Sequence, residues 1–172
     1  MDAAAPADPA FPDADPETVA RQILLRRLTD QPRSRAELAE ALAKRHVPDE
    51  VATRLLDRFT EVGLIDDAAF ARAWVQSRMT GKGLARRALA MELRRKGIAD
   101  ELAREVLDGI DPDDEDDAAR ALVRRKLRST SGLEPQARMR RLVGALARKG
   151  YPPGVALRVV REEIAAADVP VD

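Results

Sequence analysis

The sequence contains no cysteine and a single histidine, His46. Without cysteine there is no disulfide framework and no thiolate metal site, and His46 has no partner at metal-ligand spacing. Aromatic residues make up only 3% of the chain, so helix packing has to rest on Leu, Val and Ala. No apolar run approaches the roughly 18 residues of a membrane span, and the N-terminal residues lack the pattern of a signal peptide. We therefore expect a cytoplasmic protein with no membrane partner.

The motifs of catalysis are missing as well. The GKG at 81–83 has neither the preceding strand nor the spacing of a phosphate-binding loop. The acidic run that follows Gly109 resembles a calcium loop only superficially. With Asp111 as its first position, Asp116 stands where glycine is needed and Leu122 where a bidentate glutamate is needed. We expect no catalytic residue, no metal and no cofactor, and hence a protein that is not an enzyme.

One pattern occurs three times along the chain. Its copies each carry a leucine, two basic residues, a break, an apolar residue and a second apolar helix, and they read ALAKRHVPDEVATRLL (41–56), ELRRKGIADELAREVL (92–107) and ALARKGYPPGVALRVV (145–160). The apolar residues after the break, Val47, Ile98 and Tyr151, are 51 and 53 residues apart. A period of this length indicates a tandem array of supersecondary units.

Helical spacing of apolar residues recurs along the whole chain, whereas strand-like alternation does not persist. We predict an all-α fold, a tandem array of three three-helix repeats that is elongated and curved, because a unit of about 50 residues would be marginal alone. The predicted segments are a disordered acidic tail over 1–16, repeats over 17–65, 66–110 and 118–166, an acidic hinge over 111–117, and a tail over 167–172.

Local signals predict where helices begin and end in the first repeat. Ser34 with Glu37 forms a capping box that opens the second helix. Pro48 marks the start of the third helix, and Gly63 marks its end. An aspartate, Asp66 or Asp67, is then placed to cap the next helix.

The position of His46 has counterparts in the other repeats. Gly97 and Gly150 occupy the same place, at the end of the middle helix. A helix that ends in glycine commonly does so in the left-handed conformation, which histidine tolerates better than most residues do. We therefore predict a structural role for His46. In the second repeat, TGKG (80–83) is interpreted as a break between helices.

The net charge of zero conceals an uneven distribution. The stretch 17–66 balances at nine basic and nine acidic residues, but 72–104 carries nine basic and three acidic residues, and 120–149 carries ten basic and one acidic. A strongly acidic run, 108–117, separates the two basic blocks. This distribution is typical of a surface that meets a polyanion or an acidic protein.

The candidate binding residues are basic residues of the second and third repeats. They are Lys82, Arg86, Arg87, Arg94, Arg95, Lys96, Arg124, Arg125, Arg138, Arg140 and Arg141. A structural interpretation competes with binding for Arg95 and Lys96, because cations near a helix C-terminus stabilise the helix dipole. Phe70 and Trp74 fall at helical spacing, so we predict packing residues there; a stacking platform for bases normally needs several exposed aromatics.

The stretch LIDDAAFARAWVQSRMTGKGLARRALAMELRRKGI (64–98) resembles the signature of the RecX family of bacterial regulatory proteins. The similarity rests on Phe70 and Ala71, on the aromatic Trp74, on Arg78 and Gly83, and on a basic helix that ends in ELRRKGI. It extends less specifically over 17–164. Leu84 departs from the proline that many members have after the glycine, and the acidic run before the third repeat is unusually long.

The resemblance implies a three-helix-repeat protein that binds the RecA recombinase and its filament on single-stranded DNA, with double-stranded DNA as a further partner. Such proteins restrain filament growth, ATP hydrolysis and strand exchange and have no catalytic site, and we expect a monomer. Two alternatives remain at this point. A helix-turn-helix regulator is suggested by 34–66, although the excess basic charge lies elsewhere. A nonspecific DNA-coating protein would act without RecA and bind with steep salt dependence.

Overall fold

The computed structural model describes residues 15–168, and the predicted tail residues 1–14 and 169–172 lie outside this range. Within it the chain forms nine α-helices, one short 3-10 helix at Arg128–Thr130 and no strand. The α-helices are α1 Pro16–Asp30, α2 Arg35–Ala43, α3 Asp49–Glu61, α4 Asp67–Lys82, α5 Arg86–Arg95, α6 Asp100–Asp108, α7 Pro112–Leu127, α8 Pro135–Arg148 and α9 Pro153–Ala167. The all-α class and the three helices in each repeat are confirmed.

The predicted helix ends of the first repeat are present. The Ser34 hydroxyl accepts a hydrogen bond from the amide of Glu37 at 3.2 Å, and the Glu37 carboxylate accepts one from the Ser34 amide at 3.1 Å. Pro48 directly precedes α3 as its N-cap residue. Asp66 caps α4 by accepting a bond from the amide of Ala69 at 2.8 Å. His46 has a φ of 55° and is the sole non-glycine residue with positive φ in the described range.

Two predicted breaks are helical. The helix α4 continues through Lys82, so TGKG is no break, and only Gly83, with a φ of 63°, turns the chain. The hinge over 111–117 is also wrong: α7 begins at Pro112, and the Asp111 carboxylate caps it by accepting a bond from the amide of Asp113 at 2.9 Å. Acidic residues stabilise the first turn of a helix through its dipole, and here they extend α7 instead of forming a linker.

The ends of the described chain are ordered further out than the sequence suggests. Asp15, placed in the predicted tail, caps α1 by accepting a bond from the amide of Thr18 at 3.2 Å, and Pro16 is the first helical residue. At the other end Ala167 closes α9, and Asp168 pairs with Arg138. Only the parts of both predicted tails beyond these residues fall outside the described range.

The described chain divides into two compact units. The first unit comprises the chain up to Arg72 together with Arg94–Asp100, and the second unit comprises Ala73–Leu93 and the chain from Glu101 onward. The core of the first unit consists of Ala20, Leu24, Leu38, Leu42, Val47, Leu55, Leu56, Phe59 and Ile65. That of the second unit consists of Ala85, Ala119, Leu122, Val123, Leu142, Leu146, Tyr151, Ala156, Val159 and Val160. Aliphatic side chains dominate both cores, as the low aromatic content predicts.

A repeated contact, which we call the joint, occurs once in each unit. In the first unit, the turn that follows α5 packs on the start of α2. The Ser34 hydroxyl donates to the carbonyl of Lys96 at 2.6 Å, and a Cβ atom on Gly97 would lie 2.2 Å from the Cβ of Ala36. Only glycine, with no Cβ and a φ of 72°, fits at this position.

The joint of the second unit has the same construction. The turn that follows α8 packs on the start of α5, and the amide of Ala85 donates to the carbonyl of Lys149 at 2.9 Å. A Cβ atom on Gly150, which has a φ of 94°, would lie 2.9 Å from the amide nitrogen of Ala88. The glycines of the repeated pattern thus allow the end of one middle helix to approach the start of the preceding one.

Candidate interaction surface

Arg86, one of the candidate binding residues, holds the second unit together. Its guanidinium donates to the carbonyl of Ile110 at 2.6 Å and pairs with the carboxylate of Glu115 at 3.1 Å. Its backbone amide donates to the same carboxylate at 2.9 Å. Arg86 therefore links the start of α5 to α7 and is engaged by the protein itself.

Arg124 is engaged in the same way by α9. Its guanidinium binds the Glu163 carboxylate through two hydrogen bonds of 2.6 and 2.9 Å. Arg120, one turn earlier, adds a third contact to this carboxylate at 3.3 Å. The Glu163 side chain is only 6% exposed, and the hydrogen bonds from Arg124 outweigh its burial and hold its pKa below the ordinary value.

The network continues to Asp116, a residue of the expected hinge. Its carboxylate accepts hydrogen bonds from Arg158 on α9 and from Arg120, and the bond from Arg158 is the first cause of its lowered pKa. The side chain of Arg120 also reaches Glu162 at 2.6 Å. Three arginines and three carboxylates on α7 and α9 thus neutralise one another, and Asp116 contributes to packing between these helices.

Two further candidates serve the structure. Arg138 pairs with Asp168 at 3.2 Å, and its side chain is only 15% exposed. Lys96 pairs with Glu37 at 2.6 Å across the joint of the first unit. Burial opposes the ionisation of Glu37, but the hydrogen bonds from Lys96 and from the Ser34 amide together hold the pKa of this carboxyl below its ordinary value.

The remaining candidates are exposed at the surface of the described chain. Arg94 is 76% exposed and makes one exposed pair with Asp100 at 3.3 Å, a geometry that contributes little to stability. Six others are exposed, and within residues 15–168 their side chains have no hydrogen bond or ion pair: Lys82, Arg87, Arg95, Arg125, Arg140 and Arg141. All of these except Arg95 belong to the second unit.

Other exposed cations are not among the candidate binding residues. Arg26 and Arg27 near the end of α1, Lys126 on α7 and Arg161 on α9 are exposed, and none of their side chains has a partner in the described part of the chain. Acidic residues nearby in the sequence mask Arg26, Arg27 and Arg161 in any count over a window. Exposed, unpartnered cations therefore also occur outside the two basic blocks, in α1 and α9.

The aromatic residues of the signature are packing residues, as predicted. Phe70 is 7% exposed. The indole nitrogen of Trp74 donates to the Glu92 carboxylate at 2.9 Å, and the Arg78 guanidinium lies 4.1 Å from the centre of the Trp74 ring. Arg78 also pairs with Glu92 at 3.3 Å. This Trp74 cluster, formed by Trp74, Arg78 and Glu92, binds α4 to α5.

No helix among the described residues is long and apolar enough to cross a membrane. In the same range, no group of three or more His, Cys, Asp and Glu side chains is arranged to hold a metal ion.

Comparison with known proteins gives the family. Models of the first, second and third three-helix domains of RecX match residues 20–59, 66–107 and 113–160. The regulatory protein RecX of Thermobifida fusca is 55% identical over 153 residues, which cover 89% of this chain and 83% of the relative. The chain belongs to the RecX family.

Other RecX proteins agree with this assignment. The regulatory protein RecX of Streptomyces coelicolor is 55% identical over 158 residues, covering 92% of this chain and 84% of the relative. The crystal structure of RecX from Lactobacillus salivarius shares the fold, with a TM-score of 0.78 at 18% identity, covering 88% of this chain and 98% of that one. In this RecX-family chain, Trp74, Arg78 and Gly97 of the recognised signature all have structural roles.

Proposed function

We propose that this chain is a non-enzymatic regulator that binds the RecA recombinase and its filament on single-stranded DNA. Binding restrains filament growth, ATP hydrolysis and strand exchange, and so acts in recombination, DNA repair and the SOS response. The protein works in the cytoplasm as a monomer, with double-stranded DNA as a further partner. Membership of a family of regulatory proteins supports this proposal.

The observation that carries the proposal is the set of unpartnered cations of the second unit. Arg87, Arg125, Arg140 and Arg141 are exposed, and none is neutralised by a carboxylate of the described chain. Arginine makes paired hydrogen bonds to carboxylates and to phosphates, so the same residues suit acidic RecA side chains and the DNA backbone. Arg86, Lys96, Arg124 and Arg138 are left out of this surface because the protein itself engages them.

Several modest contacts are sufficient for such a regulator. A filament presents the same surface many times, and linked repeats that touch more than one protomer bind with an effective concentration that no single contact has. No strong individual site is required. We infer that losing two contacts weakens the regulator without abolishing it.

The deciding experiment titrates this protein into RecA that hydrolyses ATP on single-stranded DNA, with DNA in excess and salt fixed. We expect inhibition at well below one copy per RecA. The double variant Arg87→Gln with Arg140→Gln should need several times more protein. The control Arg26→Gln with Arg27→Gln removes two exposed charges of the first unit and should inhibit normally.

The same titration separates the alternatives. A helix-turn-helix regulator or a DNA-coating protein would bind DNA on its own and leave ATP hydrolysis unchanged while DNA is in excess. If hydrolysis is unaffected and DNA binding falls steeply with salt, those alternatives replace the proposal.

A further inference from the structure

A groove in the first unit belongs to none of the contacts described so far. It runs between α1 and the end of α2 and has a cavity volume of about 680 Å³. Its lining residues are Val19, Gln22, Ile23, Arg26, Arg27, Asp30, Ala41, Lys44 and Arg45. The groove thus combines three apolar residues with four cations and one acid.

The rim of this groove is the first-repeat counterpart of the joint. Lys44, Arg45 and His46 occupy the places of Arg95, Lys96 and Gly97, at the end of the middle helix. In both units, the corresponding turn of a later repeat packs on the start of the middle helix of the repeat before it. No earlier repeat lies among residues 15–168, so within that range the turn at His46 has no such helix packed on it.

The joint of the first unit shows one helix start that a turn with two basic residues accepts, whereas α5, at the joint of the second unit, has no acidic residue in its first turn. The start of α2 supplies a hydroxyl donor at Ser34, a small residue at Ala36 and a carboxylate at Glu37. The carboxylate pairs with Lys96 at 2.6 Å. A partner that matches the open turn in this way is the first turn of a helix with a carboxylate near its start.

The charge of the groove also favours a partner segment that carries carboxylates. Arg26 and Arg27 are exposed, and their side chains have no partner among the described residues. Lys44 makes an exposed pair with Glu40 at 2.6 Å, so Arg26 and Arg27 carry the surplus positive charge. Asp30 is the only acid among the lining residues. The groove suits an acidic segment better than a neutral one.

His46 makes the open turn different from the turns at the two joints. It places a side chain where Gly97 and Gly150 have none, so an incoming helix cannot approach as closely as Ala36 approaches Gly97. An incoming helix would therefore have to be bound through side chains as well as through backbone contacts. The arginines at the rim are long enough for this role.

A second copy of the chain that docked through α8, in the manner of the repeats, is a poor occupant. The helix α8 has no acidic residue in its first turn. Arg140 and Arg141 correspond in the repeat to Arg87 and Ala88 of α5, where the joint of the second unit forms. The start of α8 would therefore bring positive charge to a positive groove. The acidic start of α7 is engaged within its own unit, where Glu115 pairs with Arg86 and Asp116 with Arg158.

We propose that this groove is a docking site for the acidic first turn of an α-helix in a partner protein. The site is separate from the cations of the second unit that carry the proposed function. It is therefore tested without RecA and with a peptide as the ligand, so that failure of either proposal can be recognised by itself.

The test is an amide NMR titration of the full chain with a short helical peptide whose first turn reads Ser-Asp-Ala-Glu and whose remaining residues are alanine and glutamine. We expect shifts at Arg26, Arg27, Lys44 and Arg45. A matched peptide that begins Ser-Asn-Ala-Gln should bind at least about fivefold more weakly, as expected for the loss of two exposed charge pairs.

Variants then locate the contact. Arg26→Gln with Arg27→Gln should reduce affinity for the acidic peptide by about the same factor, and Arg72→Gln with Arg161→Gln should leave it unchanged. Equal binding of the two peptides, shifts outside the groove, or no shifts at all would overturn the proposal. Shifts in the groove with oligothymidylate but not with the acidic peptide would overturn it in favour of nucleic acid.

Discussion

Gly97 lies against Ala36 with no room for a side chain, since a Cβ atom on Gly97 would be 2.2 Å from the Cβ of Ala36. The contact joins residues that are 61 positions apart and combines a conformational requirement with a steric one. Gly63 has a similar φ, 76° against 72°, but nothing lies within 4 Å of its missing Cβ. Comparing Gly63 with Gly97 therefore separates the requirement for a left-handed backbone from the requirement for a missing side chain.

Replacing Gly97 by alanine should be much more damaging than replacing Gly63. Gly63→Ala carries only the cost of a left-handed backbone, about 1–2 kcal/mol. Gly97→Ala adds the clash with Ala36, for which overpacking of about 1–3 kcal/mol is expected. Urea unfolding of both variants checks this, and equal losses of stability would show that the joint is not tightly packed in solution.

The Ser34 hydroxyl serves both α2 and the joint. It is fully buried, accepts from the Glu37 amide and donates to the Lys96 carbonyl at 2.6 Å. Ser34→Ala removes both bonds and should lower the free energy of unfolding by about 1–3 kcal/mol. Ser131→Ala is the matched control, because its hydroxyl is exposed and makes one local bond to Arg128; a similar loss in both variants would contradict the role of Ser34.

Stability should fall in acid partly through Glu163. The pKa of this carboxyl is lowered from its ordinary value of 4.5, chiefly by the hydrogen bonds from Arg124. A lowered pKa in the folded state means that the contribution is complete above pH 4.5 and is lost as the pH falls through the folded pKa. Glu163→Gln should therefore be less stable at neutral pH and should lose less stability on acidification.

The matched control for this pH dependence is Glu134→Gln. Glu134 is exposed and makes no side-chain hydrogen bond at the start of α8. Unfolding free energies at pH 7 and pH 3.5 should give the same difference for this variant as for the unmodified chain. A pH dependence of Glu163→Gln that equals that of its control would show that the α7 and α9 network does not hold Glu163 ionised.

Salt dependence should reveal whether Arg87 and Arg140 contact phosphate. For direct binding to single-stranded DNA, the slope of log affinity against log salt should become shallower by about 0.7 for each phosphate contact removed. We expect Arg87→Gln and Arg140→Gln each to show this reduction. An unchanged slope with weaker filament binding would assign the two arginines to RecA carboxylates and not to DNA.

Trp74→Phe should weaken packing in the second unit without weakening binding. It removes the indole hydrogen bond to Glu92 and reduces the interaction with Arg78, a loss of about 1–3 kcal/mol. Thermal unfolding measures the first effect, and a DNA titration well below the melting temperature measures the second. Selective loss of DNA binding in a variant of normal stability would make Trp74 a stacking residue.

Periodicity and turn chemistry predicted the fold well. The recurrence of Val47, Ile98 and Tyr151 predicted three repeats, and the glycine counterparts of His46 predicted its left-handed backbone, because both can be read from the sequence pattern alone. The expected hinge over 111–117 was wrong because acidic composition is shared by linkers and by helix starts. The N-cap at Asp111 shows that this segment begins a helix, but in a run of aspartates the sequence alone does not show which residue is the cap.

The candidate surface was less predictable. The sequence shows that Arg86, Arg87 and Arg124 are basic, but it does not show which of them has a carboxylate within reach. Arg86 and Arg124 find Glu115 and Glu163, which are 29 and 39 residues away. Long-range pairing of this kind depends on helix packing, so charge counting overestimates a binding surface wherever helices carry opposite charges on facing sides.

The joints also bear on how such a sequence can diverge. At each joint the hydrogen bond across the contact ends on a main-chain carbonyl, of Lys96 or of Lys149, and the close approach requires only a missing side chain. Sequence change at a joint is therefore limited by one glycine and its compact neighbour, and in the first unit also by the Ser34 hydroxyl. An architecture held by such connections tolerates extensive replacement of its other residues, in agreement with the fold shared at 18% identity with RecX from Lactobacillus salivarius.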